Sequence, residues 1–304
     1  MSLAFAGDVH FTGRTARLLN TPATAFGPIA SVLAEADLTI LNLETAVTTR
    51  GTPEPKTYRF RAPPATFEAL RAAGIDAVSL ANNHTLDYGQ VGFADTLAAA
   101  ERAEFPVFGA GRNAAEANAP WITTVRGTRI AVLGFSQIRS FASTWVATDT
   151  RPGMAMAWDV ERAVAAVAAA RLQADLVIVY NHWGKERDGC PTVIQQEFAG
   201  HLARAGADLI IGSHAHTLQG DGFLGSAYVA YGLGNFLWYG SSASTETGVL
   251  RLTVRGRSVL TQELVPAVVS GTGQPVVLTG ASATKLTQRF AGLRACAGLA
   301  DQPA

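Results

Sequence analysis

The chain has 304 residues, 48% of them hydrophobic and 16% charged, which suits one large globular domain or two small ones and excludes a disordered chain. With 24 basic and 24 acidic side chains the formal net charge is zero, so no overall field draws the protein to nucleic acid or an anionic membrane. No stretch reaches the roughly 18 uninterrupted apolar residues of a membrane helix, and the N-terminus has no basic n-region or long apolar h-region of a signal peptide.

Elements then alternate along the chain. The opening "MSLAFAGDVH" is a strand running out into Asp8 and His10, and "LTILNLE" (38–44) is a buried strand ending in polar residues. "TTRGTPEPKTYRFRAPP" (48–64) is a long loop with four prolines that carries Lys56, Arg59 and Arg61. It is either a solvated excursion or a lid bringing cations to an anionic ligand. "PATFEALRAAG" (64–74) is a helix with Pro at its start and Gly at its stop. Strands follow at 75–84, 128–136, 175–183, 208–216 and 227–236, and helices at 89–103, 160–174 and 191–207. After residue 240, "TGVLRLTVRG" and "RSVLTQELVPAV" alternate like antiparallel strands around a short turn. From about residue 270 the chain is rich in Gly, Ala, Ser and Thr. The strand–helix–strand order predicts parallel strands with helices on their faces, and the β-rich end a second sheet packed on the first. Cys190 and Cys296, far apart in sequence, read as separate thiols of a reducing compartment, and the expected location is cytoplasmic.

Chemistry collects where the strands end. Asp8 and His10 follow the first strand, Asn42 and Glu44 the second, and Asn82, Asn83 and His84 the third; later strands yield Asn181 and His182, with Glu186 beyond, and His214 and His216. Open parallel sheets bind ligands beyond the carboxyl ends of their strands, and residues i and i+2 of an extended segment point the same way. Asp8 with His10, and His214 with His216, are therefore placed like chelating pairs. Five of the six histidines follow buried strands, and His201 alone sits in a helix. Each site taken singly has a bland reading as a turn or a core histidine; the set of five points to metal.

"AGDVH", "LNLE", "ANNH", "NHWGKE" and "GSHAH" stand in the order seen in calcineurin-like metallophosphoesterases. With "YRFRAPP", "LDYG" and "YGLGNF", the chain most resembles the branch named for bacterial poly-γ-glutamate capsule synthesis proteins, over roughly residues 3–240. The resemblance implies a four-layer α/β/β/α sandwich; with the change of composition near residue 270, a catalytic domain is expected over 1–268 and a C-terminal extension over 269–304. It implies Asp8, His10 and His216 as ligands of one metal, Asn83, His182 and His214 as ligands of the other, Glu44 as the bridging carboxylate and His84 as the catalytic histidine. Two departures stand out. The bridging position holds Glu rather than Asp, and the acid that often directly follows the catalytic His is missing. Asp87 either orients His84 in its place or caps the next helix.

Mixed imidazole, carboxylate and amide ligands suit two divalent Mn, Fe or Zn ions better than Ca²⁺ or Cu⁺. Such ions, about 3.5–4 Å apart, share a bridging hydroxide. The first expectation is a hydrolase of phosphoesters or amides, with His84 as general acid or base and Arg59 or Arg61 as a fork for the substrate's anion. The alternative is a peptide Cα epimerase using His84 and Glu186 as an acid/base pair. A binding or scaffolding protein with a vestigial site comes third. Trp183, with Trp145, Trp238 and Tyr239, lines an apolar pocket or is core. The expected partner is an anionic small molecule or peptide, with no nucleic acid and no membrane.

Overall fold

The computed structural model describes residues 1–140, 142–240 and 244–304. The first half runs β1 (Ser2–Val9), α1 (Ile29–Ala34), β2 (Leu38–Leu43), α2 (Ala65–Ala72), β3 (Ala77–Ser79), α3 (Gly89–Arg102) and β4 (Val107–Phe108). The second runs β5 (Trp121–Val125), β6 (Thr128–Ser136), α4 (Val160–Arg171), β7 (Leu176–His182), α5 (Val193–Ala205), β8 (Leu209–Ser213), β9 (Leu218–Leu224) and β10 (Ala227–Leu233). The chain then returns through β11 (Asn235–Leu237), β12 (Glu246–Arg255), β13 (Ser258–Val269) and β14 (Pro275–Val277) to α6 (Gly280–Gly292) and α7 (Arg294–Ala297).

One sheet has the order β14-β13-β12-β1-β2-β3-β4, with β11 joining the end of β1, and the other β9-β10-β8-β7-β6-β5. Strands β1 to β4 are parallel, as are β6, β7, β8 and β10. Beside these, β12, β13 and β14 extend the first sheet antiparallel, and β5 and β9 close the second.

The layers follow from alternation along the strands. Leu3, Phe5, Leu38 and Ile40 meet Ile178, Tyr180, Leu209 and Ile211 in the core between the sheets. The residues between them point the other way: Ala4, Ala6, Leu41 and Leu43 pack with Leu33, Phe67, Leu70 and Phe93 of the helices. On the far side Val177, Val179 and Ile210 pack with Val167, Phe198 and Leu202. Both sheets are thus buried on both faces, which is why their strands read as near-continuous apolar runs. This is a four-layer α/β/β/α sandwich.

Two sequence readings shift. α5 starts at Val193 rather than Pro191, because Thr192 is the N-cap of a capping box with Gln195; Gly206, with φ 109°, ends the helix left-handed. The cysteine reading is corrected: Cys190 and Cys296 form a disulfide, with Cα atoms 5.6 Å apart. Sequence separation hid the pair, because the C-terminal segment folds back along β9. There α6 buries Leu286 and Phe290 against Leu218 and Leu264, and Arg294 pairs with Asp221. The pairing withdraws the cysteine observation that pointed to a reducing compartment. Among the described residues, no helix is long and apolar enough to cross a membrane.

Candidate metal centre

The two parallel halves open their carboxyl ends on the same side. β1 reaches there by a bulge at Gly7, where its register with β2 shifts. A Cβ on Gly7 would lie 1.9 Å from the Gly234 carbonyl oxygen, so only glycine lets β1 come this close while Asp8 N–H donates to that carbonyl at 3.0 Å. Asp8 is then held from two sides. Asn42 Nδ2 donates to Oδ1 at 2.8 Å and His214 N–H to Oδ2 at 3.1 Å. His214 and His216 both have left-handed backbones, at φ 87° and 54°. Neither is glycine, and strain of this kind persists where surrounding structure over-determines the conformation.

Among the described residues, three groups of side chains have ligand atoms within 4.8 Å of one another: Glu44 with His182 and His214, Asp8 with Glu44 and His216, and Glu186 with His214 and His216. The first two share Glu44. Asn83 joins the first, its Oδ1 lying 2.6 Å from His182 Nε2, and that nitrogen lies 3.0 Å from His214 Nδ1. Among the described residues His10 joins none of these groups; it stacks on Phe60 at 4.3 Å between ring centroids, its Nδ1 accepts the Thr12 N–H, and its buried Nε2 has no hydrogen-bond partner, free to serve as a further donor.

The electrostatics fit cations. Glu44 is fully buried and, among the described residues, neither of its oxygens has a hydrogen-bond partner. Burial and the neighbouring Asp8 push its carboxyl well up against the pull of Lys56, so an ionised Glu44 needs more positive charge than that side chain supplies. Burial also drives His10, His182 and His214 well below the ordinary range, leaving neutral imidazoles, the form that binds metal. At His216 burial pulls down, but the hydrogen bond and charge of Asp8 outweigh it and the net shift is upward. Unpartnered carboxylate oxygens, neutral imidazoles and an amide oxygen are a donor set for divalent transition ions.

Beside the ligands, His84 Nδ1 lies 2.6 Å from Asp87 Oδ2. Asp87 also accepts the Phe60 N–H at 2.6 Å and Lys56 Nζ at 2.7 Å, while the cap position of α3 is Tyr88. Of the two readings for Asp87, the geometry is that of orienting His84. Burial pushes Asp87 up to about 7 against the pull of Lys56. Burial, then Lys56 and His216, hold His84 well down. A neutral His84 that donates Nδ1–H to Asp87 turns Nε2, 3.7 Å from Glu44, toward the ligands.

The surrounding cleft is about 560 Å³ and includes Lys56, Phe60, His84, Glu186, His216 and Trp238 in its walls. The 48–64 loop therefore does reach the site, but through Lys56 and Phe60. Its arginines lie elsewhere: Arg59 points to the Glu54 carbonyl, and Arg61 stacks over Tyr88 at 4.4 Å. The substrate-binding expectation for Arg59 and Arg61 is corrected accordingly. Trp183 is corrected as well. It is 0% exposed, donates Nε1–H to the Tyr231 carbonyl and packs against Phe198, on the helix side of its sheet. Period two explains the error, since His182 faces the site and its neighbour must face away. Sequence reasoning missed Asn235, which sits 2.8 Å from His216 Nδ1, and Phe60, the lone buried ring amid the polar residues of "TYRFR".

Two facing sheets flanked by helices, with polar clusters at their common carboxyl edge, define the calcineurin-like metallophosphoesterase fold. Solved structures with this architecture include a phosphatase from Mycoplasma pneumoniae (14% identical, TM-score 0.53, 88% of this chain and 93% of that one). The NAD nucleotidase of Haemophilus influenzae is a second (15% identical, TM-score 0.52, 100% of this chain and 64% of that one). Within that fold the chain belongs to the family described as bacterial capsule synthesis protein PGA_cap, whose model matches residues 2–239. The capsule biosynthesis protein CapA of Bacillus anthracis is 29% identical over 287 residues, 91% of this chain and 69% of that protein. The PGA biosynthesis protein CapA of Bacillus subtilis is 33% identical over 172 residues, 56% of this chain and 44% of that protein. A probable polyglutamine synthesis accessory protein of Mycobacterium tuberculosis is 33% identical over 189 residues, and the match spans half of its length.

Proposed function

We propose that this protein is a dinuclear metal-dependent hydrolase acting on an anionic substrate, an amide-linked acidic peptide or a phosphoester. The observation that carries the reading is Glu44, buried between two ligand-competent groups with both oxygens unpartnered. Asp8, Glu44 and His216 would hold one ion, and Glu44, Asn83, His182 and His214 the other. Two divalent Mn, Fe or Zn ions bound there would supply Lewis-acid polarisation of an oxygen and an acidified water. The side chains do the rest. Asn42 and the His214 N–H orient Asp8. Asp87 fixes the His84 tautomer, so that Nε2 can take a proton and later return it to a leaving group. Phe60 stacks on the His84 ring at 3.9 Å and limits its rotation. The relatives named for capsule and PGA biosynthesis support the acidic peptide over the phosphoester.

One observation favours a second reading, a peptide Cα epimerase. His84 and Glu186 line the same cleft from different elements, as a pair exchanging protons at one carbon requires. Metal analysis and turnover in heavy water separate the two. Wild-type protein should hold two transition ions per chain and cleave a glutamyl peptide or a phosphodiester. His84→Ala should keep the ions and lose about 10²–10⁴-fold in turnover. A metal-free wild type with full activity would overturn the proposal. Deuterium entering a peptide Cα with no bond cleaved would replace hydrolysis with epimerisation.

A further inference from the structure

We propose that Arg187 is the specificity-determining residue of this site: it seats a carboxylate of an extended acidic substrate that lies across His216, with part of its length in each of two adjoining cavities. The inference rests on the hydrolase reading and adds the residue that selects the substrate. Beside the cleft of about 560 Å³ lies a second cavity of about 320 Å³, bounded by Thr217, Thr245, Glu246 and Arg289. Arg187 and His216 line both. A candidate ligand thus stands at the junction, with room for substrate on either side of it. A ligand the size of one phosphoester group leaves one cavity unused.

The cations around the site differ in how they are engaged. Lys56 is held by Asp87, Lys185 by Asp188 and Arg289 by Glu246. Arg187 is exposed, and among the described residues its guanidinium makes no ion pair. Its backbone is fixed nonetheless. φ is 63°, outside the regions favoured by residues with a side chain, and its N–H donates to the Ala215 carbonyl at 2.7 Å. Ala215 lies between His214 and His216, so the segment that presents the candidate ligands also sets where Arg187 begins. An unengaged fork carried on a fixed backbone beside the candidate ligands suits bidentate recognition of a carboxylate. Glu186 and Glu246 share these walls. A singly charged carboxylate meets less repulsion from them than a doubly charged phosphate. Phe60, Trp238 and Tyr239 give the larger cleft an aromatic wall for the uncharged parts of a peptide.

The test is calorimetric binding to the full chain loaded with Mn²⁺, using glutamate peptides of one, three and six residues, with inorganic tripolyphosphate as the competing anion. The six-residue peptide should bind wild type at least tenfold tighter than the single residue and should outcompete tripolyphosphate. Arg187→Ala should erase most of that length dependence at an unchanged Tm, and Arg187→Lys should restore only part of it. Arg187→Gln, which keeps a polar side chain without the charge, gives the same reading should the alanine variant melt early. Wild-type affinity for the long peptide in Arg187→Ala and Arg187→Gln, or preference for tripolyphosphate, overturns the inference. Turnover is a separate readout. Length-dependent binding through Arg187 without any cleavage would remove the hydrolase reading alone, while cleavage with an unchanged KM in Arg187→Ala would remove this inference alone.

Discussion

Replacing Cys190 and Cys296 together by Ser tests how much the C-terminal segment depends on its cross-link. The bond joins positions 106 residues apart. In the chain-entropy model a loop of about 100 residues corresponds to ~4.7 kcal/mol at 25 °C, and most disulfides deliver roughly 2–4 kcal/mol. The lower range applies here, because structure left in the unfolded chain reduces the entropy a cross-link removes; other contacts still tie the segment down in the native state. Leu286 and Phe290 stay buried against Leu218 and Leu264, and Arg294 stays with Asp221. A loss of ~3 kcal/mol, at roughly 2–4 °C per kcal/mol for a domain of this size, lowers Tm by about 6–12 °C. Melts followed by circular dichroism should show that shift in the double variant and in reduced wild type, and no further shift when the variant is reduced. Cys190 lies three residues beyond Arg187, so the variant should also bind long acidic peptides more weakly. Two free thiols per chain in unreduced, denatured wild type, or a double variant that melts with wild type, would refute the reasoning.

Gly7→Ala should cost roughly 1–3 kcal/mol or more by forcing β1 from Gly234, and should lower metal content, because Asp8 moves with the strand; normal metal stoichiometry would contradict the close-approach argument. Asp87→Asn tests a pH dependence in chelator-treated protein. The Asp87 carboxyl is raised to about 7 when folded, above the roughly 3.9 of an unfolded chain. The native state therefore holds the proton more tightly, and the contribution present at low pH is lost as pH rises from about 4 to about 7. Urea melts should show wild type losing stability relative to Asp87→Asn across that window, and the opposite slope would show that Lys56 outweighs burial.

The layers and most of the clustered polar side chains were legible because both rest on local rules. Apolar runs such as "LVIVY" announce a strand buried on both faces, and the residues just past such runs reach the ligand edge. Asp8, Glu44, His182, His214 and His216, which the fold gathers into clusters at that edge, were picked out by that rule. What was not legible depends on long-range packing. Cys190 meets Cys296 only because the C-terminal helices dock along β9, and no local pattern reports a contact across 106 residues. The loop cations were visible, but which one enters the cleft is set by the ladder that pairs Ala46 with Arg61 and Val47 with Ala62, which spends the arginine at the loop's base. Trp183 shows the reverse failure. Period two was available to place it in the core, and its nearness to the "NHWGKE" motif was weighed above that rule.

The ligand groups draw on both sheets at once. Asp8 and Glu44 come from β1 and the end of β2 in one sheet, and His182 and His214 from β7 and the end of β8 in the other. An ion held there would work as a keystone across the seam, because neither sheet presents a full set of donors alone. A chain with only one sheet formed would bind such an ion weakly, so ion concentration should act on the docking of the two halves.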